Sequence, residues 1–236
     1  MLPRSYVCRR ASCPIPIDGD LDKEAWNSAD WSEDFVDIEW PEKPDPPLQT
    51  RMKMLWDEDL LYIGAKLEEP RLWATLTERD SVIFHDNDFE VFLDPDGDSL
   101  LYVEIEVNAL NTVWDLLLTK PYREKGKALT GWSVRGLQTG VRLDGVLNDP
   151  GKPSRGWSVE LALPWASLQE ISEVPCPPRP GDVWRMNFSR VEWDLEVVDG
   201  AYRKIPGRPE HNWVWTSQHA VDMHRPEHWG SVRFEL

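Results

Sequence analysis

The run Phe84-His85-Asp86-Asn87-Asp88-Phe89-Glu90 is dense in groups that bind ligands, and Glu104, Glu106 and Asn108 follow soon after. Planar carboxylates and amides take adjacent hydroxyls as bidentate partners, and an aromatic plane takes the apolar C–H face of a ring. Together these are the means of holding a sugar. The same residue types serve other chemistries. Glu104 and Glu106 stand two apart on one strand, ~6–7 Å. Paired carboxylates of a glycosidase can have that spacing, but so does any alternating acidic strand. His85 and Asp86 can ligate a metal if the fold brings His219 or His224 to them, although no helical histidine spacing supports this. Asp94, Asp96 and Asp98 surround Gly97 and offer oxygens to calcium. The twelve-residue helix–loop–helix calcium pattern is absent, and Asp with Gly also simply makes a good turn.

The elements that must position these groups are short and extended. Asp88 to Asp94 alternates, with Phe89, Val91 and Leu93 on one side and Asp88, Glu90 and Phe92 on the other. Tyr102 to Asn108 sets Val103, Ile105 and Val107 against Glu104, Glu106 and Asn108. Val183 to Trp193 sets Trp184, Met186 and Phe188 against Arg185, Asn187 and Ser189. If these strands are neighbours, their polar sides form one surface rich in carboxylates and amides.

Thr50–Trp56 and Leu60–Leu67 read as a hairpin around Asp57-Glu58-Asp59. Thr112–Thr119, Trp132–Leu143, Trp157–Leu163, Trp213–Thr216 and Ser231–Leu236 are further strands. Asp22–Trp26 and Pro164–Leu168 read as short helical turns, Pro41–Pro47 as an irregular loop, and Ala201–Asn212 as a loop. No long helical apolar period occurs. Many short alternating strands between turns predict an all-β fold, an antiparallel β-sandwich with short helical turns. No linker divides the chain, so residues 1–236 read as one domain with 1–15 as a leading strand or arm.

Fourteen tryptophans stand against 6 phenylalanines and 5 tyrosines. Trp26, Trp56, Trp157, Trp184 and Trp215 fall on faces that read as core, whereas Trp40 and Trp73 fall in loops and are freer to reach a ligand. The formal net charge of −16 repels nucleic acid and anionic membranes. No apolar run reaches the ~18 residues of a membrane helix, and no signal peptide is visible at the start. Cys8, Cys13 and Cys176 make no disulfide framework. Cys8 and Cys13 can pair, but free thiols are the simpler expectation.

Several motifs, in this order, carry a resemblance. They are Ile17-Asp18-Gly19 with Trp26, the hairpin Leu55 to Ile63, Asn87 to Asp94, and Trp157 to Leu163 followed by Pro164-Trp165. With them the chain resembles the family 9 carbohydrate-binding modules from about Ile17 to Phe234. The resemblance implies an immunoglobulin-like or jelly-roll sandwich of the DOMON-like kind. It implies non-catalytic binding of mono- or oligosaccharide ends, structural calcium, an extracellular setting, and a glycosidase partner, here on another chain.

It also implies a site. Glu90 matches a sugar-binding glutamate and Asn108 a sugar-binding asparagine. Phe84 stands at the first aromatic platform, Met223 followed by His224 at the second, Glu106 where the family has an arginine, and Ser189 where it has a glutamine. His85 and His224 are further donors. Relatives of this fold also bind b-type haem through Met and His, which makes Met223 and His224, with His211, His219 and His228, axial-ligand candidates. A haem pocket needs a wide apolar cavity, and the facing strands here carry carboxylates. The leading expectation is therefore a carbohydrate-binding module. A catalytic domain acting on O-glycosyl compounds and a haem-binding electron-transfer domain are the alternatives.

Overall fold

The computed structural model describes residues 2–236. Its strands, in chain order, are β1 Ser5–Arg10, β2 Val36–Asp37, β3 Thr50–Trp56, β4 Leu60–Glu68, β5 Asp88–Asp94, β6 Tyr102–Asn108, β7 Val113–Leu118, β8 Ala128–Leu129, β9 Gln138–Asp144, β10 Gly156–Pro164, β11 Val183–Glu192, β12 Leu195–Val198, β13 Ala201–Lys204, β14 His211–Val214 and β15 Gly230–Glu235. A single helical turn, α1 Trp165–Leu168, follows β10. One curled sheet runs β8-β7-β6-β5-β11-β15-β1-β3-β4-β10-β9, with β14 beside β11 and β2 beside β14. Its two halves face each other as a sandwich. Most pairings are antiparallel. The exceptions belong to β1, which runs parallel to both β15 and β3. The leading segment is thus the strand that joins the halves.

Alternation builds the core. Phe89, Val91, Ile105, Met186 and Phe188 from one half meet Met52, Met54, Ile63, Val159 and Leu161 from the other. Trp165, Trp184 and Phe234 pack edge to face at 5.2–6.0 Å between ring centres, an arrangement aromatic quadrupoles favour. The five tryptophans read as core are all buried. Trp73 is buried too, with the Lys204 ammonium 5.7 Å from its ring centre, and Trp40 packs against the cluster around Trp229. Neither loop tryptophan is free. Cys8 is buried and Cys13 exposed, and both are free thiols.

The outer faces are covered as well. Val36, Ile38, Phe92, Tyr102, Leu116, Val214, Met223 and Trp229 form a second apolar cluster over the β5–β6–β7 side. Ile15, Leu21, Trp26, Leu55, Tyr62 and Ala162 form a third over β3, β4 and β10. One charged group anchors this third layer. Glu160 is fully buried in β10 and accepts hydrogen bonds from the backbone N–H groups of Asp18 and Gly19, from Trp26 Nε1 and from Lys23 Nζ, at 2.7–2.9 Å. The turn it holds requires glycine. Gly19 has φ +86°, and a Cβ there would lie 2.4 Å from the backbone nitrogen of Arg142.

Two expected elements differ. Trp132–Leu143 is strand only from Gln138, because Gly136 at φ +79° interrupts the extended backbone and the Val134 N–H turns to Asp115 Oδ2 at 2.6 Å. The expected loop from Ala201 instead holds β13, paired with β12 across Asp199-Gly200. Both turn residues have positive φ (53° and 79°), as a two-residue hairpin that follows strand twist requires.

Removing Glu160 would strand three donors, the Asp18 and Gly19 N–H groups and Trp26 Nε1, and take the buried partner from Lys23. Glu160→Ala is expected to lower unfolding stability by about 3 kcal/mol, read as a fall in the urea midpoint at unchanged slope.

Candidate functional site

Directly opposed residues in a sheet share a face, so the register fixes what stands beside what. Glu106, Glu90 and Ser189 form one row across β6, β5 and β11. Asn108, Asp88 and Val191 form the next, and Glu104, Phe92 and Asn187 lie on the other side. This is the polar face expected from alternation. Contrary to an open surface, it is mostly buried, because the second apolar cluster lies over part of it.

What stays open is a cavity of about 260 Å³. Glu90, Phe92 and Glu104 come from β5 and β6. Ile38, Phe84, Val191, Glu210, Asn212 and the segment Val221–His224 supply the walls. Glu90 is only 4% exposed, and its Oε2 has no hydrogen-bond partner. Asp88 is fully buried. One of its oxygens accepts the Val191 N–H at 3.2 Å, and the other, Oδ2, has no partner. Ser189 Oγ, opposite Glu90, is also buried and faces that carboxyl, whose charged form it favours. Glu106 Oε2 accepts the Phe84 N–H at 2.8 Å, which ties the wall to the floor.

The expected site residues therefore divide. Phe84, Glu90, Met223 and His224 meet at the cavity. Glu106 and Ser189 stand on the row through Glu90 without lining the cavity. His85 is exposed outside it, with its ring edge-on to Phe84. Asn108 is fully buried with its amide committed: Nδ2 donates to Leu76 O and Asp86 Oδ2, and Oδ1 accepts from the N–H groups of Leu110 and Thr112. That supports the loop rather than a ligand. Glu210, Asn212, Asp222 and Ile38 were not expected. No spacing rule links them to Glu90, since chain segments far apart in sequence meet only here.

Asp94, Asp96 and Asp98 lie within 4.8 Å of one another at the far end of β5. Their oxygens accept backbone N–H groups from Gly97, Asp98, Ser99, Leu100 and Glu173. These bonds shape the tip as a turn.

Electrostatics single out the floor. Burial, then mutual repulsion, holds the Asp88, Glu104 and Glu106 carboxyls well above the usual carboxylate range. Burial pushes Glu90 up to about 7. Among the described residues none of the four forms an ion pair. His224 is pushed down to about 4 by burial, so it is neutral at pH 7. Its Nδ1 meets Tyr102 OH at 3.0 Å, and its ring packs against Phe92, Tyr102 and Tyr122.

Residues 17–235 match the model of a family described as carbohydrate family 9 binding domain-like. Among solved structures, the chain is similar to a family 9 carbohydrate binding module from Caldicellulosiruptor kristjanssonii in complex with cellotriose. The TM-score is 0.61 at 16% identity, covering 98% of this chain and 94% of that one. The glucose complex from the same organism gives a TM-score of 0.60 at 16% identity, covering 98% and 96%. A Bacteroides uniformis protein whose description proposes carbohydrate binding gives 0.70 at 15% identity, covering 99% and 100%. At these identities the structures show a common fold. A comparison with curated proteins by sequence finds no match.

In chelator-treated protein, stability should fall as pH rises from about 5 to 8. Glu90 keeps its proton in the folded state up to about 7, whereas the unfolded chain releases it near 4.5, so the folded state binds more protons across that window. Glu90→Gln is expected to remove about 2–3 kcal/mol of the fall, measured as urea midpoints across the pH series.

Proposed function

We propose, for a chain that belongs to the carbohydrate family 9 binding domain-like family, that the cavity over Glu90 holds a sugar residue at the end of a chain and performs no chemistry on it. The observation that carries this reading is the unpartnered, buried Oε2 of Glu90 in the floor of an open cavity. A buried acceptor without a donor is unfavourable, and a sugar hydroxyl supplies the donor. Phe84, Phe92 and Met223 offer apolar surface to the C–H groups of a ring. Glu104, Glu210, Asn212 and Asp222 add acceptors and an amide around the rim. Neutral His224, held by Tyr102, completes the wall.

In this reading Asn108 acts indirectly. It joins Asp86 and the Leu76 carbonyl to the end of β6 and so keeps the loop that carries Phe84 in place. The absence of any lysine or arginine among the cavity-lining residues favours neutral sugars over acidic ones. Any cleavage of the bound carbohydrate then belongs to a glycosidase on another chain.

Isothermal titration with glucose, xylose, cellobiose and cellotriose tests the reading. Binding of at least one is expected, and Glu90→Ala should weaken it about fivefold to tenfold, the worth of one hydrogen bond. Absence of heat with every sugar at millimolar concentration would overturn it.

A further inference from the structure

The other half of the sandwich carries a cleft of about 560 Å³ on its outer face, and it shares no residue with the cavity over Glu90. The register sets Arg51, Lys66, Ser158 and Arg142 in one row across β3, β4, β10 and β9. All four line the cleft. Like charges directly opposite each other on a sheet repel and lower its stability, so the needs of the fold do not explain Arg51 against Lys66. Their own partners do not cancel the repulsion. Arg51 has only a 3.6 Å approach of its Nε to Asp34. Lys66 is exposed and has no ion-pair partner among the described residues. Arg142, by contrast, is paired with Asp20 at 2.6 Å.

The walls add other chemistry. Trp31 is half-buried and lines the cleft, with its ring centre 4.6 Å from Lys53 Nζ and 5.5 Å from the Arg51 guanidinium carbon. Asp144 is taken by Arg155 through two hydrogen bonds of 2.9 Å. Asp22 and Glu68 stay exposed in the lining as acceptors. We propose that this cleft binds a sugar acid, a pyranose that bears one carboxylate of the uronic type. The carboxylate lies against Arg51 and Lys66 and relieves their repulsion, since a planar guanidinium takes a carboxylate bidentately and an ammonium takes it as a point charge. The hydroxyls donate to Asp22 and Glu68, and the C–H face meets Trp31. A neutral sugar leaves the Arg51–Lys66 repulsion in place. A dense polyanion is turned away by Asp22, Glu68 and the net charge of −16. The charge preference is thus the reverse of that of the cavity over Glu90, which no lysine or arginine lines.

Isothermal titration of the full chain with methyl β-D-glucuronide and methyl β-D-glucoside tests this, because the two differ only in a carboxylate against a hydroxymethyl group. The glucuronide is expected to bind about fivefold to tenfold more tightly than the glucoside, and to lose affinity as salt is added. Lys66→Gln should remove that preference, and Lys66→Arg should keep it. Since Lys66 is exposed and unpaired, Lys66→Gln should hold the Tm of the native protein, so that lost affinity is not lost fold. The cavity and the cleft are read separately: glucuronide binding should persist in Glu90→Ala. No glucuronide binding, no preference over the glucoside, a preference untouched by Lys66→Gln, or glucuronide binding lost in Glu90→Ala would each overturn the proposal.

Discussion

A carboxylate withdrawn from water without a cation beside it is costly, by several kcal/mol even after the protein relaxes. Asp88, Glu90, Glu104 and Glu106 are withdrawn together on adjacent strands, and among the described residues none has an ion-pair partner. The rest of the molecule makes this tolerable. The sandwich core on the opposite side of β5, β6 and β11 fixes those strands through Phe89, Val91, Ile105 and Phe188. The second apolar cluster clamps them from outside through Phe92, Tyr102, Met223 and Trp229. Packing on both faces leaves the acidic floor open to solvent only through the cavity over Glu90 and Glu104.

Other buried acids show what a structural carboxylate looks like in the same fold. Glu160 collects donors from Asp18, Gly19, Lys23 and Trp26. Asp86 collects the Thr75 and Leu76 N–H groups, the Thr75 hydroxyl and the Asn108 amide. The Glu69 and Glu192 carboxylates share Arg190, whose guanidinium also reaches Thr50 and the Glu68 carbonyl and so staples the two halves of the sandwich. Glu160, Asp86 and Glu69 have both oxygens engaged, and Glu192 has its Oε2 held twice by Arg190. Asp88 and Glu90 each keep a buried oxygen with nothing bound. Saturated bonding marks carboxylates that hold the fold, and the open oxygens of Asp88 and Glu90 depart from it beside the cavity.

Much of this was legible in the chain. The strands Asp88–Asp94 and Tyr102–Asn108 have the bounds that alternation indicated, and the core tryptophans are where their faces put them. Alternation also chose the right side of β5 for Glu90. It could not say that the side is roofed, because the roof comes from residues 36–40 and 214–229, which show no periodicity pointing at β5. For the same reason Trp40 and Trp73 read as free and are packed, and Asn108 read as a ligand contact and has its whole amide engaged by loop groups.

The sequence by itself determined the β-sandwich, the faces of its strands and the acidic character of one of them, because a period of two is a local property that burial reads directly. Only the tertiary structure decided which acids are satisfied and which are not. Hydrogen-bond completion depends on groups brought from far along the chain: Phe84 to Glu106, Val191 to Asp88, and Val221 to His224 over Glu90. Sequence spacing does not contain those distances, and the open oxygen of Glu90 is visible only when all of them are in place.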